Sequence, residues 1–354
     1  MRHRVSTQKL VEDFGKPKGR KLLTYDKARE NRATLAFTAE ALATPSFTGL
    51  RHEREIDLRE LSRFIDWTFF FTAWELRGRY PAILDDPKQG EAARELFSAA
   101  QGLLTRIIDE GRLEARVAYG FWPANAVGED IVLFADATRW SEVARFPFQS
   151  QQHQQGGGKA NRSLVDYIAP IESGIVDHVG AFAVTAGLGA SDFAKEFEAE
   201  HDDYQAIIVK ALADRLAEAL AEWLHARVRS EWGHPDPADM AMEDMLRERY
   251  RGIRPAFGYP ACPDHTPKHT LFDLLDANAL DMSLTEHGAM MPAASVSGLY
   301  FAHPDARYFG LGRVGPDQIA DYARRTGMTV EQCERWLASN LAYDPAQRAA
   351  AAQA

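Results

Sequence analysis

The sequence predicts an α+β fold with a mostly antiparallel sheet, and three observations carry that expectation. Apolar residues recur at helical spacing over long runs such as 91–109 and 204–232. Shorter apolar runs bounded by turn residues, at 113–119, 131–134 and 179–185, have strand character. The two kinds alternate irregularly, which excludes strict βαβ winding.

In chain order, residues 55–80 read as a helix with Leu58, Leu61, Phe64 and Ile65 on one face, leading into Trp67, Phe69, Phe70, Phe71 and Trp74. Leu96, Ala100, Leu103, Leu104, Ile107 and Ile108 make 91–109 an amphipathic helix, with Gly111 placed as its C-terminal cap. Strands at 113–119 and 131–134 follow, joined by a turn containing Pro and Gly. The stretch 151–158, rich in Gln and Gly, reads as a mobile loop. Buried strands are expected at 164–168 and 179–185, then a long helix at 204–232 with Val209, Leu212, Leu216, Leu220 and Trp223 in one stripe. Beyond a surface connection at 233–240 come short helices near 243–250 and 271–277 and strands at 299–301 and 308–311. One closing helix starts at Pro316, and a second at a capping box of Thr329 and Gln332.

Composition narrows the function. The chain has 354 residues, 45% hydrophobic and 26% charged, as in an ordinary folded protein. No run approaches the ~18 apolar residues of a membrane span, and no secretory signal is present. Two cysteines, Cys262 and Cys333, fit a reducing compartment, so a cytoplasmic protein is expected. The net charge of −10 argues against nucleic acid as a partner. Residues 1–21 depart from this with seven Lys or Arg against Glu12 and Asp13, a basic leader read as a solvated arm.

The segment 254–268 holds too many prolines for a helix interior or a central strand and must be an ordered loop. Such loops often line ligand sites, because fixed turns leave backbone groups able to grip a ligand. Arg254 carries a planar fork suited to a carboxylate, although pairing with a neighbouring acid is an equally open reading. Cys262, His265 and His269 have metal-like spacing, enough for a zinc hydrolase with three protein ligands, against a buried thiol and surface imidazoles. The run Gly187-Leu188-Gly189-Ala190 lacks the third glycine and the acid of a dinucleotide fingerprint. Asp66 is an acid among large apolar residues, fit to cap a turn or to hold a ligand amine. By periodicity alone Glu218 lies on an exposed face with Arg215 and Glu222.

Several segments in order, from about residue 27 to 343, resemble one family. They are Asp66-Trp67-Thr68 with Phe70, Trp74 and Tyr80-Pro81; Trp122-Pro123-Ala124-Asn125 with Val127-Gly128 and Asp130; Phe182-Ala183-Val184-Thr185; Leu216-Ala217-Glu218 with Glu222 and His225; 254–266; and Ala294-Ser295-Val296-Ser297-Gly298 through His303-Pro304-Asp305. The family is the AdoMet-binding activation (reactivation) domain of cobalamin-dependent methionine synthase. The resemblance implies a single C-shaped domain at 27–343 with a twisted, mostly antiparallel sheet flanked by helices, between the leader 1–26 and an Ala-rich tail 344–354. It implies an S-adenosylmethionine (AdoMet) groove built from Asp66, Glu218, Arg254, Tyr308 and Phe309, with backbone groups of Ala256, Gly258 and Tyr259. Within it Asp66 pairs with the ligand ammonium and Arg254 with its carboxylate, and backbone groups read the adenine edge.

The activity implied is reductive reactivation of cob(II)alamin to methylcobalamin, part of methionine biosynthesis. Partners implied are the cobalamin-binding module of the synthase and a flavodoxin-like or other reductase. The chain lacks the corrinoid pattern D-x-H-x-x-G, so cobalamin is expected on a partner, and the N-terminal Met with its basic leader leans toward a separate subunit. A noncatalytic module that senses AdoMet and docks the partner is the alternative. Phe69 and Phe257 stand where the family usually has proline, and Pro267 where it usually has glutamate.

Overall fold

A computed structural model describes residues 21–38 and 41–352, so most of the basic leader lies outside the described residues. The helices among them are α1 (Tyr25–Glu30), α2 (Leu58–Leu61), α3 (Trp67–Ala73), α4 (Gly90–Asp109), α5 (Ala190–Ala199), α6 (Asp203–Glu231), α7 (Met242–Leu246), α8 (Pro267–Leu274), α9 (Pro316–Thr326), α10 (Val330–Trp336) and α11 (Pro345–Ala352). The strands are β1 (Gly49–Glu53), β2 (Glu114–Val127), β3 (Asp130–Phe134), β4 (Glu142–Pro147), β5 (Asp177–Leu188), β6 (Ser283–Leu284), β7 (Met290–Met291) and β8 (Ser295–Tyr300).

The chain divides into two compact units. The larger, Thr34–Phe148 with Leu164–Phe309, contains the main sheet. Its strands run β4-β3-β2-β5-β8, with β1 also pairing β2, and every pairing is antiparallel, as the sequence predicts. The central strands are buried on both faces. Val117, Tyr119 and Phe121 of β2 join one apolar cluster, and Ala118, Trp122 and Ala124 join the other. This two-residue alternation between two cores is why these strands read as continuous apolar runs. Helices α2 to α6 contribute to the first cluster and α8 to the second.

Strand β2 is longer than expected and runs through Pro123, where the sequence suggested a turn. On one side β2 pairs with β1 from Val117 to Phe121 and with β3 from Ala124 to Val127. Trp122 and Pro123 fall in the gap, where a residue without an N–H costs no bond to either strand. The turn is confined to Gly128 and Glu129, with Gly128 at a φ of 61°.

Residues 55–80 are not one helix. A 3₁₀ turn, Ser62–Phe64, separates α2 from α3, because the Asp66 carboxylate accepts from the Thr68 amide and begins a new helix. The expected strand at 164–168 is a buried 3₁₀ turn, Leu164–Tyr167, and no strand forms at 308–311.

The smaller unit combines residues 21–33, Gln149–Ser163 and 310–352. Leu311, Val314, Ile319, Tyr322, Cys333 and Leu337 form its core. The expected mobility of 151–158 gives way at Gln152, which is fully buried. Its amide donates to the Leu23 carbonyl (3.0 Å) and Asp317 Oδ1 (2.7 Å), and accepts from the Gly315 amide (2.8 Å) and Gln318 Nε2 (2.9 Å). A glutamine with four partners ties three chain segments together as firmly as an apolar residue would. The Thr329–Gln332 capping box forms as expected.

Candidate functional site

The larger unit contains a groove of about 770 Å³, within the usual range for small-molecule sites. Asp66, Glu218, Arg254, Ala256, Tyr259, Tyr308 and Phe309 all line it, so seven of the eight residues predicted from sequence share one cavity. Gly258 is not on the wall. Its amide donates to the Cys262 carbonyl at 2.8 Å, and its φ of 93° turns the loop so that the Tyr259 ring is 59% exposed. A Cβ at Gly258 would lie 2.2 Å from His265 Cε1, so no larger residue fits there without displacing the imidazole.

Asp66 stands at the N-terminus of α3, whose Trp67, Phe70 and Phe71 are buried in the core. Its Oδ1 accepts from the Thr68 amide at 2.8 Å, while Oδ2 has no hydrogen-bond partner among the described residues. One carboxylate thus fixes the helix end and still offers an oxygen to the groove.

Arg254 opens the proline-rich loop, and that loop is anchored to β8. The Leu299 amide donates to the Pro255 carbonyl at 3.0 Å, and a Cβ at Gly298 would approach that same carbonyl to 2.4 Å. The Arg254 amide donates to the Tyr308 hydroxyl at 3.0 Å, which locks Tyr308 against the loop. Of the two open readings of the Arg254 side chain, pairing with a neighbouring acid is the one seen, and it leaves one edge of the guanidinium unused. Its Nη1 pairs with Glu222 Oε2 at 2.7 Å, whereas Nε and Nη2 make no hydrogen bond among the described residues. Burial opposes the charge of Arg254, but the Glu222 carboxylate beside it more than offsets this and raises its pKa. Burial likewise raises the phenols of Tyr250 and Tyr308, keeping both neutral.

Glu218 lies on α6 and faces the groove with Arg215, not bulk solvent. Around this stretch α6 is buried over most of its circumference, including Glu222 and His225. Periodicity separates apolar from polar faces but does not separate water from a polar groove. Sequence reasoning missed Glu222 and Tyr250 as parts of the site. The one available signal was Glu222 and His225 recurring three residues apart beside Glu218.

The three departures from the usual family pattern each have a defined place. Phe69, 61% exposed, lines the groove, and Phe257 is buried against Phe146 and Phe148 at ring distances of 5.6 and 6.0 Å. Pro267 sits in the first turn of α8, where a missing N–H is tolerated. The zinc reading finds no support in the geometry. Cys262 Sγ donates to the Ala256 carbonyl at 3.1 Å, His265 Nδ1 lies 3.0 Å from Lys268 Nζ, and no group of three metal-ligating side chains occurs among the described residues. Among those residues, no helix is long and apolar enough to cross a membrane.

Comparison with known proteins adds two findings. The model of the family described as vitamin B12 dependent methionine synthase, activation domain, matches residues 57–327. A solved structure described as the MetH reactivation domain bound to AdoHcy is 46% identical in sequence. The match covers 91% of this chain and 99% of that one, with a TM-score of 0.88.

Proposed function

We propose that this chain, which belongs to the activation-domain family of vitamin B12-dependent methionine synthase, binds AdoMet between Asp66 and Arg254 and presents its methyl group to a cobalamin carried on a separate chain. When bound, AdoMet supplies a sulfonium methyl, the donor that returns inactive cob(II)alamin to methylcobalamin once a flavodoxin-like or other reductase provides one electron.

The protein's own part is binding and aiming. The free Oδ2 of Asp66 accepts from the ligand ammonium, and Nε and Nη2 of Arg254 donate to the ligand carboxylate. Holding both ends of the amino-acid tail fixes where the methyl points, and such positioning supplies much of the rate of a bimolecular transfer. Tyr259, Tyr308 and Phe309 offer apolar faces to the adenine. Four carboxylates, Asp66, Glu218, Glu222 and Glu248, line the groove against two guanidiniums, Arg215 and Arg254, which favours the cationic donor over its neutral demethylated product. No general base is required, because the transfer releases no proton.

The observation that supports this reading best is one cavity holding a carboxylate and a guanidinium, each with an unused hydrogen-bonding edge. The test mixes the chain with a cob(II)alamin-loaded synthase module, a reductant and methyl-labelled AdoMet. Label on cobalt is the expected result. Tight AdoMet binding with no label on cobalt would leave only the noncatalytic, AdoMet-sensing role.

A further inference from the structure

Behind Arg254, on the side away from its free edge, three acceptors crowd one nitrogen. Glu222 Oε2 lies 2.7 Å from Nη1, the Tyr250 hydroxyl 3.0 Å and His225 Nδ1 3.3 Å. An Nη1 amino group has two hydrogens, so it satisfies two of the three at a time and is held from every side it can reach. The acceptors are themselves fixed. Glu222 and His225 sit one turn apart on α6 and are buried. The His225 ring packs edge-on to Tyr250 at 4.9 Å and stacks on Tyr300 at 5.0 Å. Tyr250 carries the Arg229 guanidinium 3.7 Å above its ring, and Arg229 in turn pairs with Asp236 through a 2.7 Å Nε–Oδ1 bond.

We infer that Glu222, with Tyr250 and His225, is the positioning set of this site: it clamps Nη1 so that Arg254 meets the ligand carboxylate side-on, through Nε and Nη2. The inference rests on the proposed AdoMet groove. An arginine side chain left loose loses rotamer freedom each time it binds, which weakens binding. A guanidinium already held at one corner avoids most of that cost. The clamp also decides which edge is offered, since an end-on grip through both Nη atoms would require Glu222 to let go.

The test separates reach from charge. Glu222→Asp keeps the negative charge but withdraws it by one methylene, beyond hydrogen-bonding distance of Nη1. Binding of AdoMet and of decarboxylated S-adenosylmethionine, which lacks the carboxylate, is measured by calorimetry for wild type and variant. The ratio of the two dissociation constants reports the carboxylate grip. We expect Glu222→Asp to cut that ratio about tenfold, roughly 1.4 kcal/mol, by weakening AdoMet alone. Tyr250→Phe, which preserves volume, should cut it about threefold and serves if the first variant fails to fold. Glu222→Gln, whose amide oxygen still reaches Nη1, should keep most of it.

An unchanged ratio in both Glu222→Asp and Tyr250→Phe overturns the positioning role, as does an equal loss for both ligands, the mark of a merely structural residue. A wild-type protein that binds neither ligand overturns the groove assignment itself. A wild type that prefers AdoMet while both variants keep the preference removes the inference and leaves the assignment standing.

Discussion

Asp66 has one oxygen engaged as a helix cap and one left over for the proposed ligand contact, and a pair of substitutions separates the two. Oδ1 caps α3 through the Thr68 amide at 2.8 Å, and Oδ2 is the oxygen proposed to meet the ligand ammonium. Asp66→Ala removes both. Loss of an N-cap costs about 1 kcal/mol of stability, and α3 has only seven residues over which to absorb it. Asp66→Asn keeps an oxygen for the cap, so apo stability should change by only a few tenths of a kcal/mol. It removes the charge, however, and a hydrogen bond to a charged group is worth about 1.5–3 kcal/mol. The dissociation constant for AdoMet should therefore rise roughly 10- to 150-fold in Asp66→Asn. Thermal unfolding without ligand and calorimetric titration with AdoMet read the two quantities independently. An Asn variant that binds AdoMet like wild type, or one as unstable as the Ala variant, would refute the division of labour.

Further outcomes follow from buried charge and buried amides. Arg254→Ala should destabilise the apo protein by roughly 3–5 kcal/mol, because it strands the buried Glu222 carboxylate, whose Oε1 already lacks a partner among the described residues; adding Glu222→Gln should recover much of this in urea unfolding, and a single variant within about 1 kcal/mol of wild type would contradict it. Burial holds the imidazoles of His178 and His234 down to about 4 and that of His225 well below its ordinary value. Below the ordinary value of 6.5 the unfolded chain therefore binds more protons than the folded one, so stability is full above that pH and is lost as pH falls from there toward 4. Asp177, pushed up to about 6 by burial, works in the opposite sense and loses its contribution as pH rises from 3.8 to 6. His265 and His303 are lowered as well, against raised Asp214 and Glu248, so five histidines outweigh three carboxyls; melting should come at lower temperature at pH 5 than at pH 7, and the reverse order would refute the balance. Gln152→Ala removes four hydrogen bonds from the smaller unit and should cost roughly 3 kcal/mol there; unchanged hydrogen exchange across α9 would count against it.

The elements most legible in the sequence are those whose pattern and burial agree. The stripe through Leu212, Leu216 and Leu220 yields α6, and the spacing of Thr329 and Gln332 yields the start of α10. Asp66 and Arg254 stood out because an acid among aromatics and an arginine at the head of a rigid loop both need an explanation. The misses share one physical cause, which is that apolar or polar character does not specify a partner. Residues 308–311 are apolar enough for a strand, yet the Tyr308 hydroxyl accepts from the Arg254 amide and Phe309 packs against the core, so neither enters a ladder. Gln152 appears polar and mobile in the sequence, but its amide can be satisfied entirely by protein. Glu222 reads as the outer face of a helix until the loop bearing Arg254 is folded against it, a long-range contact that no local window contains.

The interruption at Trp122 and Pro123 bears on how the sheet tolerates change. Because β1 and β3 take successive stretches of the same side of β2, that side carries two short zippers in tandem rather than one long one. On the opposite side β5 pairs with β2 straight through Pro123, from Arg116 to Ala124, and holds both zippers in one alignment. Because β3 is buried along its whole length, that second zipper belongs to the core as much as the first does.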